Sequence, residues 1–211
     1  MDVVGHQAIG PHRLPPSGWI ERDNTKHACH PFLPTSTMPQ FVSQLISIGG
    51  QSLEKEDQFL QSVHARRGED GGVLRVKLGC FYQYVFGRAL LRNYDCQLRF
   101  EYEERCFAKL KVKFDRKNYF FLMENWKGGE PLTSLKEGVD RLAKCSNEAY
   151  LLVFSAGPYG QTEGNLHLLD GLTGAENRVG AHRFRTKDVK GEDYEFWIGG
   201  WHVPRKPSAV P

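Results

Sequence analysis

Two segments near the middle of the chain alternate regularly between apolar and polar residues. The apolar positions are Leu98, Phe100 and Tyr102 in Gln97–Glu103, and Ala108, Leu110, Val112 and Phe114 in Phe107–Phe114. Successive side chains of a strand point to opposite faces, so a period of two is typical of a half-buried strand. We therefore predict two strands, each with one apolar face toward the core and one polar face.

A third segment, Tyr119–Met123, is apolar at every position and follows a polar stretch at residues 115–118 whose composition is typical of a turn. This uninterrupted run predicts a strand that is buried on both faces. The three strands together form an antiparallel meander. If Arg116 and Lys117 are the two loop residues, Lys109 lies opposite Glu124. A three-residue loop instead shifts the pairing by one residue, which places the other face of the third strand beside the apolar face of the second.

Helical spacing begins after Pro131, where Thr133 can cap a helix and apolar residues recur at Leu135, Val139 and Leu142. A further apolar run, Tyr150–Phe154, follows. Two fully buried strands joined by a helix are typical of a parallel crossover. We predict a strand near 119–124, a helix near 133–145 and a strand near 149–155.

The flanking regions complete an α+β domain with a mixed sheet. Residues 40–67 have helical spacing with a break at Gly49-Gly50, and residues 78–93 predict another helix. Residues 1–39 form an irregular arm rich in Pro and His, and the domain spans 40–211 with its core at about 78–155. Beyond Ser155 the chain is rich in Gly, so we expect an irregular extension in which Leu166–Leu169 and Tyr194–Ile198 are strands or short helices.

Composition narrows the class of protein. The chain has 211 residues, a net charge of +3 and 40% hydrophobic residues, which are ordinary values for a globular domain. No apolar run reaches the roughly 18 residues that span a bilayer, so we expect no membrane association. The five cysteines are widely spaced without a CxxC pair, which predicts a reduced, cytoplasmic protein.

Charged side chains gather at one predicted edge of the sheet. Ligand sites of crossover sheets lie at the carboxyl ends of the parallel strands. The residues expected there are Glu101 or Glu103, Lys109, Glu124, Lys127 and Ser155. Carboxylates beside a lysine suit a divalent metal ion that activates a water molecule. The same side chains across three strands, Glu101, Lys109 and Glu124, are alternatively a surface ladder of ion pairs.

The order helix, three-stranded meander, helix, strand between about 78 and 155 resembles the core of the PD-(D/E)XK nuclease-like superfamily. The segment FFLMENWKGG resembles the acidic strand end of that family, and GVDRLAKCSNEAYLLVF resembles its following helix and strand. The resemblance implies Mg²⁺-dependent phosphodiester hydrolysis. Glu124 and Glu101 would be metal ligands, and Glu124, Lys127 and Lys109 the catalytic residues. The family's lysine two residues after the glutamate is Trp126 here, which is why Lys127 and Lys109 take its place.

Four basic residues lie on the polar faces of the first two strands. Lys109, Lys111 and Lys113 alternate along one strand, and Arg99 lies on the other. Such a stripe is either a solvated face or a site for the phosphates of DNA or RNA. The leading hypothesis is a divergent nuclease-like domain that engages nucleic acid. The alternative is a non-catalytic domain on the same fold that binds a protein partner through the lysine face or the aromatic C-terminal region around Trp197 and Trp201.

Overall fold

A computed structural model describes residues 38–76, 80–102, 108–144 and 148–205. Residues 1–37 of the predicted arm lie outside the described residues. The helices are α1 (Met38–Ala65), α2 (Phe81–Asn93), α3 (Thr133–Leu142) and α4 (Thr162–Thr173), with short 3-10 turns at Val73–Arg75 and Ala175–Asn177. The strands are β1 (Gln97–Tyr102), β2 (Ala108–Phe114), β3 (Lys117–Asn125), β4 (Glu148–Pro158), β5 (Arg178–Lys187) and β6 (Asp193–His202).

All six strands form one mixed sheet in the order β1-β2-β3-β4-β6-β5. The pairs are antiparallel except for β3 and β4, which are parallel and joined by α3. This arrangement confirms the α+β fold class, the three-stranded meander and the crossover. In the described part of the chain, no helix is long and apolar enough to cross a membrane.

The sheet separates two apolar layers. On the α1/α2 face, Phe121, Leu152 and Ile198 pack with side chains from α1 and α2, such as Leu45 and Phe86. On the opposite α3/α4 face, Leu151, Val153 and the two tryptophans of β6 pack against α3 and α4. Strands β3, β4 and β6 are covered on both sides, which explains their continuous apolar runs.

The hairpin between β2 and β3 has a different register from the expected one. Asp115 and Arg116 form its two-residue loop, with φ angles of 47° and 61°. Two consecutive positive φ values are typical of a type I′ turn, whose twist matches that of the flanking strands. Phe114 therefore pairs with Lys117, and Lys109 pairs with Leu122. The predicted pairing of Lys109 with Glu124 is wrong. The observed register differs from the predicted one by two residues, and because side chains alternate between the faces of a strand, the predicted faces are correct.

Helix α1 is continuous through Gly49-Gly50, so the predicted break is wrong. A Cβ atom on Gly49 would overlap the ring of Phe86, and one on Gly50 would overlap His182. The two glycines let α2 and β5 approach α1 closely. Glycine in a helix costs about 1 kcal/mol relative to alanine, and the packing against Phe86 and His182 offsets that cost.

The chain beyond Ser155, expected to be irregular, continues β4 to Pro158 and then forms α4 and the β5–β6 hairpin. Leu166–Leu169 lies within α4, and Tyr194–Ile198 lies within β6. The glycines of β6 are packing positions, since a Cβ on Gly199 would overlap Trp201 and one on Gly200 would overlap Ile46. The Gly-rich composition predicts a loop here because glycine is common both in flexible loops and at positions of close packing.

Candidate functional site

The predicted site residues occupy successive steps of the sheet instead of one row. Lys109 lies between Glu101 on β1 and Leu122 on β3. Glu124 is two residues beyond Leu122 on the same face and pairs with Val153. The predicted ladder of Glu101, Lys109 and Glu124 is therefore wrong, because Leu122 takes the third place. Glu124 and Lys109 are diagonal neighbours on the α3/α4 face, and such neighbours have Cα atoms about 7–8 Å apart.

Glu124 is buried under α3. Its side chain is 9% exposed, and its Oε1 has no hydrogen-bond partner among the described residues. The helix comes this close because Gly138 faces the sheet, where a Cβ atom would overlap the side chain of Leu122. Burial raises the pKa of Glu124 to about 8, although the charge of Arg141 lowers it in part. The carboxyl group is therefore mainly protonated at neutral pH.

Lys127 and Ser155 lie away from Lys109. Lys127 follows the end of β3 and is exposed. It lines a cavity of about 430 Å³ together with Asn125, Ser155 and aromatic residues of the α1/α2 layer that include Tyr82. The carboxyl ends of β3 and β4 thus meet at one edge, as predicted. The structure does not bring Lys127 together with Glu124 and Lys109, which belong to the α3/α4 face.

Of the two predicted magnesium ligands, the structure describes only the side chain of Glu124. Mg²⁺ in proteins is held by one or two carboxylates with water and substrate oxygens. No group of three or more His, Cys, Asp or Glu side chains close enough to hold a metal occurs within the described ranges. The side chain of Glu101 lies outside the described part. The predicted magnesium site at Glu124 and Glu101 stays a prediction.

The four predicted nucleic-acid-binding residues share one face of the sheet, here named the basic face: Arg99, Lys109, Lys111 and Lys113. The register pairs Arg99 with Lys111, and Gln97 with Lys113. Helix α3 packs on β3 and β4. Arg99 and Lys113 are exposed, while Lys109 and Lys111 are half-buried. Alternation along β2 predicted this face correctly.

A cavity of about 210 Å³ lies between the basic face and α3. Its polar lining comes from Lys109, Lys111 and Arg141, and its apolar lining includes Phe120, Leu122 and Leu142. The ammonium of Lys111 lies 5.4 Å from the centre of the Phe120 ring, a cation–π distance.

Sequence reasoning missed two residues of this cavity, Phe120 and Arg141. Phe120 belongs to a run whose pattern predicts burial on both faces, but it is half-buried. Both the predicted and the observed register place Phe120 on the basic face, where it pairs with Lys111 in the structure, but a continuous apolar run gives no reason to single it out. For Arg141 the signal was its position one residue before Leu142, at the end of the helix stripe, but the location of α3 on the sheet was needed as well.

Comparison with protein-family models, with curated proteins and with solved structures found no match.

Proposed function

We propose that this chain is a nucleic-acid-binding domain and that its basic face contacts phosphate groups. The observation that carries the proposal is the placement of Arg99, Lys109, Lys111 and Lys113 on one sheet face beside α3. Lysines at every second position of β2 repeat at about 6.7 Å along the strand. A linear array of cations suits a polymer with regularly repeated negative charges, because several ion pairs form at once.

Arg141 adds a cation on α3, across the small cavity, while Glu101 lies opposite Lys109 on the sheet. The net charge of the whole chain is only +3, so the concentration of cations on one face is more informative than the total. Ion pairs of this kind bind without reading sequence, because every nucleotide carries the same phosphate.

The test is a measurement of affinity against salt concentration. Wild-type protein and a Lys111→Gln/Lys113→Gln variant are titrated into labelled single-stranded and duplex oligonucleotides by fluorescence anisotropy. We expect the variant to bind more weakly. Its plot of log affinity against log salt should be shallower by about 0.7–0.9 for each phosphate that the variant no longer neutralises.

The matched control is Lys187→Gln/Lys190→Gln, which removes the same charge from exposed positions of the β5–β6 hairpin. An equal loss of affinity in both variants would mean that the total charge matters and not the basic face. If wild-type protein binds no oligonucleotide at low salt but binds an acidic partner protein, the basic face is a protein-binding surface instead. The tryptophans of the C-terminal region do not offer such a surface, because Trp197 and Trp201 are both 0% exposed.

Metal-dependent phosphodiester hydrolysis is the second candidate function. One observation favours it, the position of Glu124 and Lys109 on the same face beside the cavity. The test is cleavage of labelled DNA and RNA with Mg²⁺ or Mn²⁺ by wild-type protein and a Glu124→Gln variant. Cleavage that the variant loses while it keeps its affinity for the oligonucleotide would support this function. The absence of cleavage from wild-type protein that binds would leave binding as the function.

A further inference from the structure

Phe120 is an aromatic side chain on the basic face of the sheet. It pairs directly with Lys111 and is half-buried, although its neighbours along β3, Tyr119 and Phe121, are buried on the α1/α2 face. Phe120 also lines the cavity of about 210 Å³ beside α3. An aromatic ring that a strand presents among cations is a platform on which a flat, electron-rich ring can stack.

The cavity combines two chemistries that a nucleotide also combines. Its apolar walls include Phe120, Leu122 and Leu142, and its cations are Lys109, Lys111 and Arg141. The flat faces of a base stack on apolar surfaces, its edge carries hydrogen-bonding groups, and the phosphates on either side of it are negative. The walls therefore match the base and the cations match the phosphates.

We propose that this cavity holds one unpaired base of a single-stranded nucleic acid, stacked on Phe120, while the flanking phosphates contact the basic face. This inference rests on the proposed function and names its substrate class. A base in a duplex is already paired and stacked, and extruding it costs a few kcal/mol. Single strands therefore bind more tightly than duplexes of the same length, because they offer a base without that cost.

The test compares Phe120→Leu with wild-type protein by fluorescence anisotropy. The ligands are a labelled single-stranded oligonucleotide, a duplex and an abasic oligomer that has the same number of phosphates without bases. Base–aromatic stacking contributes about 1–3 kcal/mol, so we expect Phe120→Leu to lose about 5- to 150-fold in affinity for the single strand. Affinity for the abasic oligomer should not change. The single strand is titrated once as DNA and once as RNA, and the form that binds more tightly identifies the sugar of the natural ligand.

Two variants control for folding and for a general effect of aromatic residues. Phe120→Tyr keeps a stacking ring and should bind the single strand with the affinity of wild-type protein. Phe59→Leu makes the same change at an aromatic residue that is 60% exposed on α1, a helix of the opposite sheet face, and should leave all affinities unchanged. Circular dichroism of each variant verifies that the fold is retained.

The outcomes separate this inference from the proposed function. If Phe120→Leu binds the single strand as tightly as wild type, or loses affinity for the single strand and the abasic oligomer equally, no base stacks on Phe120 and the inference is overturned. The basic face then still binds phosphates. If wild-type protein binds none of the three ligands at low salt, the proposed function itself fails.

Discussion

At the scale of single residues, Glu124 shows how burial changes the chemistry of a side chain. The resemblance to nucleases predicts an ionised metal ligand at this position. The structure places the carboxyl group under α3, next to Gly138, with one oxygen unpartnered among the described residues. Ionising such a group requires moving a charge out of water, which is costly in a medium of low polarity.

This burial predicts how stability depends on pH. The pKa of Glu124 is about 8 in the folded chain, against an ordinary value of 4.5. Between these values the folded state holds a proton that the unfolded state has released, so rising pH destabilises wild-type protein by up to about 1.4 kcal/mol per pH unit. We expect Glu124→Gln, which cannot ionise, to gain on the order of a few kcal/mol relative to wild type between pH 5 and pH 8.

Urea unfolding at pH 5, 6, 7 and 8 measures this difference. The same substitution at exposed Glu130 is the control and should follow the wild-type curve. Parallel curves for wild type and Glu124→Gln would show that the carboxyl group is solvated in the folded protein.

At the scale of elements, the β2–β3 hairpin fixes the register of the basic face. Its type I′ turn has Asp115 and Arg116 at the two positions that require positive φ. Left-handed backbone costs an L-residue about 1–2 kcal/mol, and type I′ turns favour Asn-Gly for that reason. A three-residue loop would shift the pairing by one residue and turn Leu110 and Val112 away from the core.

We therefore expect Asp115→Asn/Arg116→Gly to stabilise the protein by about 0.5–1 kcal/mol, measured as a higher urea midpoint. The gain is smaller than the backbone cost because glycine also makes the unfolded chain more flexible. Lys190→Gly in the β5–β6 turn is the control. Within the described chain, the residues other than glycine that have positive φ are Asp115 and Arg116. Lys190 does not have positive φ, so the control should be neutral or destabilising. A loss of stability in the double variant would contradict the assignment of the turn.

At the scale of the whole molecule, the sequence predicted the elements that have a clear period and missed those that depend on tertiary packing. The alternation of β1 and β2 and the crossover around α3 were predictable, because each follows from the spacing of its own residues. The unbroken α1 was not, because Phe86 and His182 select glycine at positions that otherwise indicate a break. The basic face was predictable from alternation in β2, whereas the cavity required the position of α3 on the sheet.

Strand β6 lies between β4 and β5, so the central crossover depends on the C-terminal hairpin. The pairing runs from Tyr150 with His202 to Pro158 with Tyr194. We expect a chain that ends at Gly160 to lose cooperative unfolding, because β4 loses β6, one of its two partner strands, and the α3/α4 layer loses Trp197 and Trp201. Near-ultraviolet circular dichroism and urea titration measure this effect. A sharp transition in the shortened chain would show that the region before Gly160 folds by itself.

The packing of α1 against β5 has a consequence for folding during synthesis. Asp57 of α1 accepts hydrogen bonds from Val73 and from Thr186, which lies 129 residues further along the chain. Helix α1 therefore leaves the ribosome well before the strand that covers part of its apolar side. Because synthesis adds about 5–20 residues per second, that side stays accessible for roughly 6–26 seconds, a period in which a chaperone can bind and premature association is a hazard.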